Sequence, residues 1–194
     1  MFDIILASKS KVRLDILNKN NVVCSAKPSN VDEDEIKISM LKDGASPKDV
    51  SKNLAELKAN KVSSKNPDQI VLGADSVIDY DGELISKPKT REEAFNILRK
   101  LNGKSHSLIS SVCISKNAAM IWNYTDTSFL TMKKFDDIQL KSYLNKIKDE
   151  DLFAYGVYQI EAEGKSLFSK IEGDENSIMG LPVKKIIEYL KNIK

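Results

Sequence analysis

The chain has 194 residues, 41% hydrophobic and 30% charged, and its 30 Lys and Arg against 28 Asp and Glu leave a formal net charge of +2. That is the make-up of one globular domain, or one domain in two lobes, long enough to bury a core. Near-neutral balance excludes the strong field that nucleic acid or a membrane surface attracts, one histidine excludes a His-rich metal site, and no run approaches the ~20 apolar residues of a membrane span. Cys24 and Cys113 lie in apolar contexts without CxxC spacing and read as buried thiols of a reducing compartment. The opening residues, MFDIILASKS, show no basic region followed by a long apolar one, so no secretory leader is expected and a cytoplasmic location follows by elimination.

In chain order, residues 2–7 read as a first strand, followed by the turn Ser8-Lys9-Ser10 and a short helix carrying Val12, Leu14, Ile16 and Leu17. Ser8 or Ser10 suits the N-cap, and free N–H groups beside Lys9, Lys11 and Arg13 suit an anion; a capped helix with solvated lysines explains the same residues. Residues 22–26 read as a second strand. The acidic run Asp32-Glu33-Asp34-Glu35 reads as a solvated loop or first helical turn, or as a holder of a hard cation. Ser46-Pro47-Lys48-Asp49 opens a helix whose stripe is Val50, Leu54, Leu57 and Val62, helped by Ala55 and Ala59, with Lys58 beside it.

Residues 69–88, QIVLGADSVIDYDGELISKP, read as a buried strand, an Asp81-Gly82 hairpin turn, a returning strand and a Lys87-Pro88 exit. Asp75 lies inside the apolar run, where a carboxylate is costly without a cation or hydrogen-bond donors. Gly73 and Ala74 clear space for something to approach the backbone. Thr90-Arg91-Glu92-Glu93 reads as a capping box for a helix with Ala94, Ile97, Leu98 and Leu101 inward, stopped by Asn102-Gly103. Residues 105–115 read as a strand and 118–131 as one or two more. Residues 136–148 form an amphipathic stretch with Ile138, Leu140, Tyr143, Leu144 and Ile147, then a glycine-punctuated tail leads to a last helix with Val183, Ile186, Ile187 and Leu190. His106 reads as a hydrogen-bonded structural imidazole. The order predicts an α/β fold in which one domain spanning 1–194 has two lobes, a mixed sheet flanked by helices and a central cleft.

Taken together, Leu6-Ala7-Ser8-Lys9-Ser10, Leu72-Gly73-Ala74-Asp75-Ser76-Val77, Asp32-Glu33, Leu54 to Ala59, Lys87-Pro88, Leu101-Asn102-Gly103 with His106, Tyr158-Gln159, Glu172-Gly173-Asp174 and Gly180-Leu181-Pro182 resemble, in order and over nearly the whole chain, the Maf branch of the nucleoside triphosphate pyrophosphatases. The resemblance implies an inosine-triphosphate-pyrophosphatase-like fold, a homodimer, and cleavage of a nucleoside triphosphate to monophosphate and diphosphate with a divalent cation, Mg²⁺ or Mn²⁺. It implies Asp75 as proton acceptor, and Ser8, Arg13, Glu33, Lys58 and Lys87 as phosphate and metal ligands; the turn through Ser10 adds donors, and Glu33 with Asp75 are the metal candidates. Where the family opening reads Ser-Pro-Arg-Arg, this chain has Lys11 and Val12 before Arg13. The positions that bear on base choice map to Val12, Ser76 and Gln159, and Val12 offers no side-chain donor for a pyrimidine. The candidate substrates are dTTP or UTP, 7-methyl-GTP, or a broad range of modified nucleotides. The rival functions are a nucleotide sensor of septum formation with little turnover and, last, a nucleic-acid-binding protein, for which the lysines are too dispersed.

Overall fold

The computed structural model describes residues 2–193. Its centre is a seven-stranded mixed sheet. The first three strands, β1 (Phe2–Leu6), β2 (Val22–Ala26) and β3 (Val71–Tyr80), are parallel in the order β2-β1-β3. Parallel neighbours need crossovers. Helix α1 (Lys11–Lys19), capped by Ser10, supplies the first; α2 (Glu33–Lys42) and α3 (Pro47–Ser63) supply the second. Beyond β3 the sheet is antiparallel: β4 (Glu83–Ile85) pairs with β3, and β5 (Ser105–Lys116), β6 (Ala119–Met132) and β7 (Phe168–Glu172) complete it in the order β3-β5-β6-β7. Asp81 and Gly82 both hold positive φ, 55° and 82°, as a two-residue hairpin between right-twisted strands requires.

Helices α4 (Arg91–Leu101), α5 (Asp137–Leu144), α6 (Asp149–Tyr155), α7 (Glu175–Ile178) and α8 (Val183–Asn192) flank the sheet. Buried apolar side chains gather in two main clusters. One joins α4, α5 and α6 to residues 157–168; the other joins β1, α1 and α8 to the first half of β3. The mixed α/β class predicted from the sequence is the one observed, and Ser105–Lys116 and Ala119–Met132 are each a single long strand.

Several local expectations are corrected. Thr90 caps α4 by accepting from the Glu93 amide, but Glu93 accepts from the Lys89 amide instead of returning to its cap, so no reciprocal box forms. Leu57 is 38% exposed, and the buried stripe of α3 runs through Leu54, Lys58 and Val62 instead. Ile138 is 79% exposed at the start of α5, and that helix ends at Leu144. Cys113 is buried and Cys24 only half-buried; both are free thiols. Strand β7 lies within the glycine-punctuated tail, and helix α6 forms just before it, reaching only its first two residues, Ala154 and Tyr155. No helix among the described residues is long and apolar enough to cross a membrane.

Candidate active site

Gly73 and Asp75 point to the same face of β3, because side chains alternate along a strand. A Cβ on Gly73 would lie 2.2 Å from the Ala55 carbonyl oxygen and 2.7 Å from the Ala59 nitrogen. The missing side chain therefore lets α3 lie directly on the strand, and what approaches the backbone here is a helix. Lys58, on the buried stripe of α3, is thereby brought onto Asp75. Its ammonium donates to Asp75 Oδ1 at 2.7 Å and lies 2.8 Å from Glu33 Oε1 in the first turn of α2. One cation thus bridges the two carboxylates expected to hold a metal. Burial alone would raise the Glu33 carboxyl; Lys58, with Lys37 and Lys87 behind it, outweighs burial and holds it below the usual carboxylate range.

The second oxygen of Asp75, Oδ2, is buried and has no hydrogen-bond partner. An unpartnered carboxylate oxygen is expensive and is the right chemistry for a cation or a donating water. No cluster of three or more His, Cys, Asp or Glu side chains able to hold a metal occurs among the described residues. Two carboxylates without a complete cage suit Mg²⁺, which takes one or two carboxylates and completes its octahedron with substrate phosphates and water.

Asp75 opens onto a cavity of about 480 Å³ lined also by Ser8, Ser10, Arg13, Lys58, Lys87, Val12, Ser76, Gln159 and Glu33. Asp75 and these nine residues therefore meet in one cleft. Ser8 and Ser10 form the entry to α1. The Ser10 amide donates to Ser8 Oγ at 3.1 Å, and Ser10 Oγ accepts from the Arg13 amide at 3.3 Å. The amides at the first two helical positions, Lys11 and Val12, have no intrahelical acceptor and present the positive end of the helix dipole. Lys87 is a further cation of the cleft. Burial pushes its ammonium down from the usual lysine value; Glu33 opposes this shift, Arg13 adds to it, Asp75 opposes it and Lys37 adds to it.

Arg13 holds the cleft together. Its Nε donates to the Gly180 carbonyl at 2.9 Å, Nη1 to the Ala74 carbonyl at 2.9 Å and Nη2 to Ser76 Oγ at 3.1 Å. Ser110 Oγ donates to the Ser177 carbonyl at 2.7 Å, so its proton is spent and the 3.0 Å contact with Ser76 is a donation by Ser76. A directed chain runs from Arg13 through Ser76 and Ser110 to α7. It leaves Ser76 with no proton to offer a base and leaves Arg13 with two of its five N–H donors. Lys11 is exposed and outside the cavity lining.

Lys37 and Glu161, which are not among the expected site residues, also line the cavity. Lys37 stands one helical turn from Glu33, with 3.8 Å between the charged atoms, a spacing the sequence does show. Glu161 follows Gln159 by two residues on the wall formed by residues 154–161. Glu172-Gly173-Asp174 lies outside the cavity lining; there Asp174 caps α7 by accepting from the Asn176 and Ser177 amides.

A helix N-terminus, the buried Lys58 with Arg13 and Lys87 beside it, and a carboxylate pair converging on one cleft define a phosphate-handling α/β protein. The chain belongs to the Maf-like protein family, whose family model matches residues 3–193. It is 64% identical over 192 residues to a protein of Pelagibacter ubique named nucleoside triphosphate pyrophosphatase, an overlap of 99% of this chain and 98% of that one. It is 34% identical over 191 residues to a protein of Brucella abortus named 7-methyl-GTP pyrophosphatase, covering 98% and 96%. Among solved structures, a nucleoside-triphosphatase/dITP/XTP pyrophosphatase from Mycobacterium abscessus aligns over 98% of this chain and 94% of that one, at 12% identity and a TM-score of 0.44.

Proposed function

We propose that this protein hydrolyses a nucleoside triphosphate to the monophosphate and diphosphate. The observation that carries the reading is the buried Asp75, half paired with Lys58 and half unpartnered, opening onto a cleft whose other groups are suited to a polyanion. The α1 amides and the Ser8 hydroxyl donate to phosphate oxygens; Lys58 and Lys87 balance the triphosphate charge. Asp75 Oδ2 accepts the proton of a water aimed at the α-phosphorus. A divalent cation held by Glu33, Asp75 and the phosphates would supply charge neutralisation at the leaving diphosphate. Names borne by the relatives in Pelagibacter ubique and Brucella abortus support the same reaction class.

For the base, the reading is a guanine-type nucleobase. Val12 offers no side-chain hydrogen bond, Ser76 has spent its proton, and Glu161 supplies an acceptor-only carboxylate on the cavity wall. Guanine carries adjacent N–H donors on its Watson–Crick edge, which a carboxylate can accept as a pair. The relative named 7-methyl-GTP pyrophosphatase supports this choice over dTTP or UTP. The reaction is tested by running it in ¹⁸O-water and weighing the products. Label on the monophosphate supports attack at the α-phosphorus. Release of inorganic phosphate and a nucleoside diphosphate contradicts the reading, and nucleotide binding without any product moves it to a sensor.

A further inference from the structure

The wall carrying Gln159 and Glu161 has no regular structure of its own. Between the end of α6 at Tyr155 and a 3₁₀ turn at Glu163–Leu167, the backbone is irregular. Val157, Tyr158 and Ile160 anchor it in the core, and two side chains from other elements hydrogen-bond to it. Tyr143 of α5 donates its hydroxyl to the Val157 carbonyl at 3.1 Å. His106 of β5 shares a 2.7 Å hydrogen bond between Nε2 and the Tyr158 hydroxyl. The imidazole and phenol are 4% and 9% exposed, and both rings pack on Phe168, Tyr158 edge-on with centroids 4.8 Å apart. His106 is absent from the cavity lining, whereas Leu108, two residues along the same face of β5, is part of it. Apart from Tyr158, His106 has no side-chain hydrogen-bond partner: its Nδ1 is buried and unsatisfied.

A buried unsatisfied nitrogen is a cost that a phenylalanine at the same place would avoid. The polar ring gives in return a directional bond to a wall residue, Tyr158, that is buried in the core and adjoins Gln159. We propose that His106 is a positioning residue: through Tyr158 it fixes residues 157–161, and so sets base affinity and base discrimination without touching the nucleotide. The inference rests on the nucleotide reading above. Tyr158 itself lines the cavity beside Gln159 and Glu161, and its hydroxyl is held from the core by His106. Loss of the bond frees the wall by rotation about the Tyr158 side chain and leaves Asp75, Lys58 and Lys87 in place.

The test compares wild type with H106F and Y158F, each alone and together, using pyrophosphate release across a panel of nucleoside triphosphates with Mg²⁺. For the preferred base, KM is expected to rise roughly five- to tenfold with kcat changed less than about threefold, and the spread of kcat/KM across bases to narrow by a similar factor. The double variant should be no worse than either single one, since both remove the same bond. H106Q, whose amide can reach the phenol, should recover part of the KM. If the variants lose only melting temperature and keep wild-type KM and base ranking, the positioning role is overturned. Y158F removes a single oxygen and carries the test alone if H106F does not fold. Wild type without turnover on any base would overturn the nucleotide reading and this inference with it; an active wild type with unaltered variants overturns this inference only.

Discussion

The Lys58 ammonium stands 2.7 Å from Asp75 Oδ1 and 2.8 Å from Glu33 Oε1, so the charge that neutralises the carboxylate pair is the protein's own. Removing one partner of a buried pair leaves an uncompensated charge and costs about 3–5 kcal/mol. Lys58→Met is expected to lose stability on that scale, less whatever the half-exposed Glu33 recovers from water. A divalent cation should restore part of it. Calorimetric titration with Mn²⁺ alone is expected to show tighter binding to Lys58→Met than to wild type, because the ammonium no longer sits between the two carboxylates.

The approach of α3 to β3 at Gly73 is equally exposed to test. An alanine methyl there would overlap the Ala55 carbonyl, a backbone atom that cannot swing away. Gly73→Ala is expected to cost about 3 kcal/mol or more in urea unfolding, with activity falling further than stability, since the helix that shifts is the one that carries Lys58.

The chain has one histidine, which makes its pH signature legible. Burial lowers His106 from 6.5 to about 4, so the folded ring stays neutral where the unfolded ring takes up a proton. The unfolded state then binds more protons, and stability falls as pH drops from 6.5 towards 4, by up to ~3 kcal/mol. Carboxylates whose folded values are lowered, Glu33 and Asp174 among them, lose their contribution mainly below about pH 4.5. Urea unfolding of wild type should therefore lose stability between pH 6.5 and 5, and H106F should be flat across that interval.

If Glu161 reads donors on a guanine-type base, Glu161→Gln should lower kcat/KM for the guanine nucleotide by roughly tenfold or more, since a charge-assisted pair of hydrogen bonds is lost. Uracil and thymine nucleotides, whose carbonyls the amide can meet as a donor, should lose less or gain. Steady-state kinetics on purine and pyrimidine triphosphates checks the ranking.

The strands and capped helices that build the cleft are readable because each carries its own local signal: a serine at 8 or 10 before α1, the Ser46 cap and Pro47 before α3, and Asp81-Gly82 between β3 and β4. The misses have physical causes. Helix α6 has seven residues, one buried side chain and no side-chain cap, so neither periodicity nor capping marks it. Strand β7 is a five-residue edge strand that buries little beyond Phe168. On α3, a spacing of four from Leu54 selects Lys58 for the buried stripe, but hydrophobicity selected Leu57; the buried charge at Asp75 is what reverses the preference. At the site, the residue types pointed to a polyanion, whereas the proton chain from Arg13 through Ser76 to Ser110 depends on contacts 34 to 63 residues apart in sequence.

The role of Asp75 is tested most directly by measuring pyrophosphate release from a panel of nucleoside triphosphates with Mg²⁺, wild type beside Asp75→Asn. The amide keeps the size of the carboxyl group and removes its capacity as a base, so turnover should fall by at least about a hundredfold while nucleotide binding and the folded state persist. Near-normal turnover in a folded Asp75→Asn protein would contradict the assignment of Asp75 as the proton acceptor.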